Sequence, residues 1–275
     1  MVRVWTSLTP HLSLLTPNKR TMTTIFWICF FLVFYTYAGY GIVLYLATRI
    51  KRMFGKKETT FDAYNTLPDV TMMVCAYNEE EIVKAKMENT HALDYPKDKL
   101  HILWITDGSD DSTNSLLAEY SDVAVVFTPE RKGKTAALKH GIKEVKTEIL
   151  VMTDANTMLN KEAIRVIVDK MRNPKVGCVA GEKRVKARND RQAAAEGEGM
   201  YWKYESFLKR LDSELYSAMG AAGELCAIRS QLFEEMPDDT LLDDFILSMR
   251  IVERGYTIAY ASDAYAMEYG SADLN

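Results

Sequence analysis

The sequence predicts an α/β protein, in which helices flank a mainly parallel sheet and one transmembrane helix precedes it. Three observations support this prediction. Short apolar runs alternate with helical patterns between residues 70 and 180, as in parallel sheets covered on both faces. Residues 25–48 form an uncharged apolar segment, and roughly 20 such residues cross a bilayer as a helix. Polar residues that suit ligand binding follow several of the apolar runs.

Composition excludes several kinds of protein. The net charge of −4 over 275 residues gives no reason to expect binding to nucleic acid. The cysteines are scattered through apolar runs without a CxxC pair, so we expect reduced thiols, and neither a disulfide framework nor a zinc site. They are Cys29, Cys75, Cys178 and Cys226.

We divide the chain into an N-terminal tail at 1–23, a transmembrane helix at 24–48, a linker at 49–68 and an α/β domain at 69–275. Whether the first 21 residues are native is left open, since Met22 could be the true start. There are more basic residues just after the apolar segment than just before it. By the positive-inside rule the domain then faces the cytoplasm, and the protein lies in the inner (cytoplasmic) membrane.

The helices and strands of the domain are predicted from its apolar runs and from the turn and capping residues that end them. Strands are predicted at 70–75, 101–106, 123–127, 149–152 and 176–180. Helices are predicted at 79–90, from 113 to about 120, at 135–145 and at 161–171. A long, partly amphipathic stretch at 192–215, a strand at 225–228, a helix at 244–254 and a strand at 256–262 complete the pattern. Gly255 suits the left-handed residue that ends a helix.

Acidic or amide residues occur at or near the ends of predicted strands, where open α/β sheets bind ligands. They are Glu79, Asp107, Asp154 with Asn156, and Asp243 with Asp244. One such acid is usually a helix cap, but several on one edge indicate a site. If the chain stays extended through Asn156, its amide and the Asp154 carboxylate point the same way. Oxygen ligands of this kind suit Mg²⁺ or Mn²⁺, and hence a phosphorylated substrate.

A basic loop, Arg131-Lys132-Gly133-Lys134, follows the third predicted strand. Near a metal-binding acid it fits a diphosphate, although it could equally be a solvated turn. The chain lacks GxxxxGK[ST], and the turn after the first strand contains no glycine. We therefore expect the phosphates to be held by metal and side chains, and not by a glycine-rich helix start.

Four motifs follow one another along the domain. They are Val-Cys-Ala-Tyr-Asn-Glu at 74–79, Thr-Asp-Gly-Ser-Asp-Asp-Ser-Thr at 106–113, Lys-Gly-Lys-Thr-Ala-Ala-Leu at 132–138 and Thr-Asp-Ala-Asn at 153–156. In this order they resemble the family 2 inverting glycosyltransferases of the GT-A fold. The resemblance covers roughly residues 68–270 and is greatest to membrane-anchored cellulose, hyaluronan and poly-N-acetylglucosamine synthases.

The resemblance implies a role for each matching residue on the donor side. Ala76, Tyr77 and Glu79 would line the pocket for the nucleotide base and ribose. Asp107 would contact the base, typically uracil, and Lys134 would lie near the donor phosphates.

The same resemblance assigns the metal and acceptor sides. Asp154 corresponds to the first acid of the family's DxD motif, which binds the metal–diphosphate, and Asn156 would be a further ligand. Gly220 and Gly223 would lie beside the acceptor sugar. Asp244 would be the catalytic base, with Asp243 where the family usually has Glu.

Two departures from the family pattern matter. Asn156 replaces the second acid of DxD; an amide oxygen can ligate a hard cation but brings no charge, which leaves the strength of metal binding open. No Gln-x-x-Arg-Trp motif follows Asp244. We expect the chain to be truncated before that motif, so processive and single transfer both remain open.

The predicted function is metal-dependent transfer of a sugar from a nucleotide sugar, UDP-linked by the resemblance, to a growing polysaccharide or lipid-linked acceptor. A nucleotidyltransferase is the alternative among enzymes, although its first loop is usually glycine-rich and basic. A catalytically inactive sugar-nucleotide-binding scaffold is the alternative outside enzymes. The sequence names neither the sugar nor the acceptor.

Overall fold

The computed structural model describes residues 18–54, 66–186 and 192–269. The chain divides into two compact units, one up to Met53 and the other from Phe54 onward. The first unit contains the long apolar helix, and the second contains the α/β domain.

The long helix runs from Lys19 to Phe54, at the boundary of the first unit, and it is long and apolar enough to cross a membrane. It consists of α1 (Lys19–Phe34), a π-helical turn (Tyr35–Gly39) and α2 (Tyr40–Phe54). The hydroxyls of Thr23, Thr24 and Thr36 donate to carbonyls four residues earlier, so these polar groups are satisfied within the helix. The helix contains the predicted 24–48 segment but ends later, with basic residues in its last turn that complement its dipole.

The domain is built on one sheet of eight strands in the order β3-β2-β1-β4-β7-β6-β8-β5. The strands are β1 (Val70–Ala76), β2 (Leu100–Asp107), β3 (Val123–Thr128), β4 (Ile149–Asp154), β5 (Thr157–Leu159), β6 (Val176–Lys186), β7 (Cys226–Arg229) and β8 (Thr257–Tyr269). The helices are α3 (Glu80–His91), α4 (Thr113–Leu117), α5 (Lys134–Gly141), α6 (Ala163–Met171), α7 (Gln192–Leu215) and α8 (Asp243–Glu253).

The four strands β3, β2, β1 and β4 run parallel to one another, which confirms the alternating pattern predicted for residues 70–152. Beyond β4 the sheet is mixed. Strand β7 runs antiparallel to β4 and β6, β8 runs parallel to β6, and β5 runs antiparallel to β8. The carboxyl ends of the four parallel strands therefore meet at one edge.

Side chains alternate between the two faces of the central strands, so each face has its own core. Met72 and Trp104 pack on one face, in a cluster that includes residues of α3 and α6. Their neighbours Met73 and Ile105 pack on the other, with residues of α5 and α8. Near-continuous apolar runs are required because both faces are covered.

Strands β6 and β8 extend beyond their predicted ends at 180 and 262. Their register shifts at Gly181/Glu182, and pairing then continues to Lys186 and Tyr269. The apolar pattern stops earlier because charged residues follow it. Lys183 pairs with Glu224 and with Glu268 of the neighbouring strand, so ion pairs accompany this part of the ladder.

Arg229, at the end of β7, joins several elements from a buried position. Its guanidinium donates to the carbonyls of Met171, Asn173 and Val176 and pairs with Glu148. We expect Arg229→Met to lower the free energy of unfolding by about 3 kcal/mol, because three carbonyls lose their donor. Chemical denaturation measures this difference.

The matched control is Arg254→Met, because Arg254 is exposed at the end of α8 and pairs with Glu234. That change should cost less than about 0.5 kcal/mol. Equal losses for the two variants would contradict the structural role given to Arg229.

Candidate active site

Most of the predicted site residues lie on the edge formed by the carboxyl ends of the parallel strands. Asp154 ends β4 and is in register with Cys75 of β1. Asp107 ends β2 and is in register with Thr128 of β3. Ala76 ends β1, but its methyl group is buried in the core, so only its backbone is available at the edge.

The loops after β1 and β2 are joined to each other by hydrogen bonds. Asn78, at φ +53°, exchanges hydrogen bonds with Asp110, and its backbone N–H donates to the hydroxyl of Ser109. The backbone N–H of Glu79 donates to Thr113 Oγ1 at 2.9 Å. Much of the Asp-Gly-Ser-Asp-Asp-Ser-Thr motif therefore fixes the position of the β1 loop.

Two predicted donor-binding residues lie on the β1 loop. The ring of Tyr77 is partly exposed, and the Arg131 guanidinium lies 3.8 Å from its centroid, within cation–π range. Glu79 is half-buried, and burial raises the pKa of its carboxyl, with a further contribution from Asp111. Aromatic, basic and acidic groups thus lie together at the part of the sheet edge next to the β1 loop.

Asp107 is buried and holds the basic loop. Its carboxylate accepts from the backbone N–H groups of Lys132 and Gly133, the latter at 2.6 Å, and from the Thr128 hydroxyl. Gly133 immediately precedes α5, so Asp107 fixes the start of that helix and with it Lys134. Direct contact between Asp107 and a base stays a prediction.

Gly108 allows the basic loop to approach β2 closely. It has φ +73°, and a Cβ atom built there would lie 2.6 Å from the backbone nitrogen of Arg131. Glycine adopts this conformation without the strain that other residues incur. Gly108 therefore serves the placement of the basic loop.

Lys134 and Asp154 form an ion pair across the edge, with 2.6 Å between Nζ and Oδ1. Burial alone would lower the pKa of Lys134, but the negative charges of Asp154 and Asp243 raise it well above its usual value. Lys134 is therefore charged, and about a third of each side chain remains exposed. A phosphate group could reach both from solvent.

Asp243 and Asp244 open α8 beside this pair. Asp244 is partly buried, and burial raises the pKa of its carboxyl, as does the charge of Asp243. A Cβ atom at Gly223 would lie 2.9 Å from Lys134 Nζ and 3.3 Å from Asp244 Oδ2. Gly223 thus borders both Lys134 and Asp244, and its place on the acceptor side stays a prediction.

Gly220 also lies beside α8. It has φ +78°, and a Cβ atom there would lie 2.4 Å from the ring of Phe245. The residue before the helix, Leu242, is left-handed at φ +56°, which is strained for a leucine. The start of α8, and therefore Asp244, is held in place by close packing.

The chain does not stay extended through Asn156, contrary to the expectation above. Strand β4 ends at Asp154, Ala155 and Asn156 form a turn, and β5 begins at Thr157. Asn156 is exposed on this turn. The alignment of its amide with the Asp154 carboxylate therefore does not follow from strand geometry.

The donors near the turn fit a hard cation that takes most of its ligands from a substrate. Asp154 supplies a partly exposed carboxylate that already binds one cation, the ammonium group of Lys134, and Asn156 supplies an exposed amide. Among residues 18–54, 66–186 and 192–269, no group of three or more His, Cys, Asp or Glu side chains could hold a metal ion. Diphosphate oxygens and water would have to complete the coordination.

Sequence reasoning missed Lys86, which lies on α3 beneath the turn. It is fully buried, and burial lowers the pKa of its ammonium group to about 7. The available signal was its position on the apolar face of α3, between Val83 and Met87. Sequence reasoning also missed the stacking of Arg131 on Tyr77 and the pairing of Lys183 with Glu224.

The chain matches the family model described as Glycosyltransferase like family 2 over residues 68–275. The chain belongs to the family 2 glycosyltransferases. Its mixed α/β sheet with flanking helices is the GT-A fold, as predicted.

This glycosyltransferase is 26% identical over 230 residues to the poly-beta-1,6-N-acetyl-D-glucosamine synthase of Staphylococcus aureus (strain COL), covering 80% of the chain and 54% of that protein. It is 28% identical over 224 residues to the probable glycosyltransferase YdaM of Bacillus subtilis (strain 168), covering 74% of the chain and 51% of YdaM. The chain thus spans about half the length of these relatives.

Among solved structures, the glycosyltransferase is similar to the mannosyltransferase PcManGT from Pyrobaculum calidifontis, in complex with GDP-Man and Mn²⁺. The TM-score is 0.68 and the identity 25%, covering 88% of this chain and 68% of the other. That complex contains a nucleotide sugar and a divalent metal.

Substitutions of two glycines near the basic loop distinguish the cost of backbone strain from the added cost of a steric clash. Gly133 has φ +93° but nothing within 4 Å of a Cβ atom placed on it, whereas a Cβ atom on Gly108 would also clash with the backbone of Arg131. We expect Gly133→Ala to cost about 1 kcal/mol of stability and Gly108→Ala at least about 2 kcal/mol. Chemical denaturation of both variants checks the order, and a larger loss for Gly133→Ala would refute it.

Proposed function

We propose that this family 2 glycosyltransferase moves a sugar from a nucleotide-sugar donor to a saccharide or lipid-linked acceptor hydroxyl, with inversion at the anomeric carbon. One observation carries the proposal. The Lys134–Asp154 pair and Asp244 border the same space beside Gly223, on the ligand-binding edge of the sheet. A cation paired with an acid suits a diphosphate, and a carboxylate of raised pKa suits a general base.

On the donor side, Lys134 binds the diphosphate and stabilises the charge that develops on it as it leaves. Asp154, with Asn156 beside it, would hold Mg²⁺ or Mn²⁺ against the same diphosphate. The metal, when bound, supplies further stabilisation of that negative charge. The similar mannosyltransferase was solved with GDP-Man and Mn²⁺, which supports the use of a divalent metal.

On the acceptor side, Asp244 accepts the proton of the incoming hydroxyl. The acceptor oxygen forms its bond to the anomeric carbon as the bond from that carbon to the diphosphate breaks. One displacement inverts configuration, so an α-linked nucleotide sugar gives a β-linkage. Burial and the charge of Asp243 raise the pKa of the Asp244 carboxyl, which strengthens it as a base.

The nucleotide base and ribose are proposed to bind where Tyr77 and Glu79 border the edge. The backbone of Ala76 and the loop held by Asp107 complete this region. The resemblance favours UDP, whereas the related mannosyltransferase binds GDP-Man. Binding of UDP and GDP should therefore be compared.

The helix Lys19–Phe54 is proposed to anchor the enzyme in the cytoplasmic membrane, with the domain on the cytoplasmic side. Its length and apolar composition support the span. The basic residues in its last turn, Lys51 and Arg52, support the orientation.

Asp244→Asn tests the base assignment. The variant keeps the shape of the side chain but cannot accept the proton, so we expect sugar transfer to fall at least about 100-fold. Affinity for UDP with Mn²⁺ should stay within about twofold of the wild-type protein, since the base does not hold the donor. A nucleoside-diphosphate release assay and calorimetry measure the two effects.

The matched control is Asp122→Asn, because Asp122 is an exposed acid that pairs with His91 and precedes β3, at the opposite end of that strand from the edge. It should leave transfer unchanged. Full turnover by Asp244→Asn would refute the base assignment. Binding of UDP by the wild-type protein without turnover on any acceptor would indicate an inactive scaffold.

Asn156→Asp tests whether the turn ligates a metal. A carboxylate at this position adds a charge that a hard cation favours. We expect the Mn²⁺ concentration that half-saturates UDP binding to fall by about tenfold. An unchanged requirement for Mn²⁺ would show that residue 156 does not contribute to the site.

A further inference from the structure

Lys86 is a lysine with no exposed surface. Its ammonium group makes three hydrogen bonds, to the carbonyl oxygens of Thr157 at 2.6 Å and Asp154 at 2.9 Å, and to Thr153 Oγ1 at 3.2 Å. An ammonium group has three donors, so its hydrogen-bonding capacity is fully used. The three hydrogen bonds therefore fix the position of the Lys86 side-chain nitrogen.

Packing alone does not explain a lysine at this position. Val83 and Met87 flank it on the apolar face of α3, and an apolar side chain would extend that face without the cost of burying a charge. Its three acceptors are neutral, so no direct ion pair repays that cost. The positions of its hydrogen-bond acceptors indicate the role of the Lys86 side chain.

Two of the three acceptors belong to the turn that carries Asp154, and the third is on Thr153, the residue before it. The carbonyls of Asp154 and Thr157 mark the two ends of the turn between β4 and β5, and Lys86 bridges them. The Thr157 hydroxyl also donates to the Asp154 carbonyl at 3.0 Å. Fixing the backbone at these points fixes the position from which the Asp154 side chain extends.

The same network reaches the acceptor side. The Thr153 hydroxyl, which accepts from Lys86, donates to the carbonyl of Glu224 at 2.8 Å. Glu224 follows Gly223, which borders Lys134 and Asp244. One turn further along α3, Asn89 forms two 2.8 Å hydrogen bonds with the backbone of Leu159, which ties the helix to β5 as well.

We propose that Lys86 is a positioning residue whose buried ammonium group holds the 154–157 turn, so that the Asp154 carboxylate meets the donor diphosphate and its metal. The inference rests on the proposed function, since it assigns Asp154 to the diphosphate. Lys86 does not contact the substrate. It acts through its hydrogen bonds to the backbone of the turn.

The test uses the full chain and compares Lys86→Met with Lys84→Met, which changes an exposed lysine on the same helix. Calorimetry measures binding of UDP with Mn²⁺, of UDP alone and of uridine alone. Loss of a group that holds a metal ligand in place typically costs about 10- to 100-fold in metal affinity. We expect Lys86→Met to weaken UDP with Mn²⁺ at least tenfold and uridine less than twofold, with Lys84→Met unchanged.

Three outcomes separate the possibilities. Unchanged binding of UDP with Mn²⁺ by Lys86→Met would overturn the inference and leave the proposed function intact. Equal weakening of uridine and of UDP with Mn²⁺ would overturn it too, because that indicates a general structural role. If the wild-type protein binds neither UDP nor GDP, the proposed function itself is refuted.

Lys86→Gln covers the case in which Lys86→Met does not fold. Its amide retains two N–H donors on a shorter side chain, so it should restore part of the network. We expect it to weaken UDP with Mn²⁺ while sparing uridine, and to do so less than the Met variant where both fold. Uniform weakening of all three ligands by Lys86→Gln would overturn the inference.

Discussion

The ammonium group of Lys134 holds together three acids of the sheet edge. Asp154 comes from a part of the chain distant from the neighbouring residues Asp243 and Asp244, and the like charges of these acids would repel at close range. Lys134 bonds directly to Asp154, and the charges of Asp154 and Asp243 both raise its pKa. A donor diphosphate would bring further negative charge to the same place. Binding it there requires cations that offset this charge.

The rest of the domain places that lysine and its partners. Asp107 holds the loop before α5, and Gly108 gives the loop room to approach the sheet. Gly223 leaves space between Lys134 and Asp244. Lys86 supports the Asp154 turn from the opposite side. Buried polar groups that are fully hydrogen-bonded specify one arrangement, and several of those in this domain serve the edge.

The sequence predicted the parallel strands well, because each is a near-continuous apolar run followed by turn residues. It did not predict β5, whose three residues carry no periodic pattern and pair with β8 more than 100 positions away. For the same reason Asn156 was expected on an extended chain and lies on a turn. Motif resemblance identified Asp154, Lys134 and Asp244, but Lys86 resembles any other helical lysine until its three acceptors are seen. Local patterns thus locate the site, whereas long-range contacts determine how its residues are held.

The proposed function requires donor diphosphate, metal ligand and base to meet at one point on the sheet edge. A structure of the full chain with UDP and Mn²⁺ would show directly whether they do. We expect the diphosphate against Lys134 and Asp154, with the Lys134 ammonium group turned towards phosphate oxygen and Asp244 facing the open space beside Gly223. A diphosphate bound away from Lys134 and Asp154 would contradict the proposal.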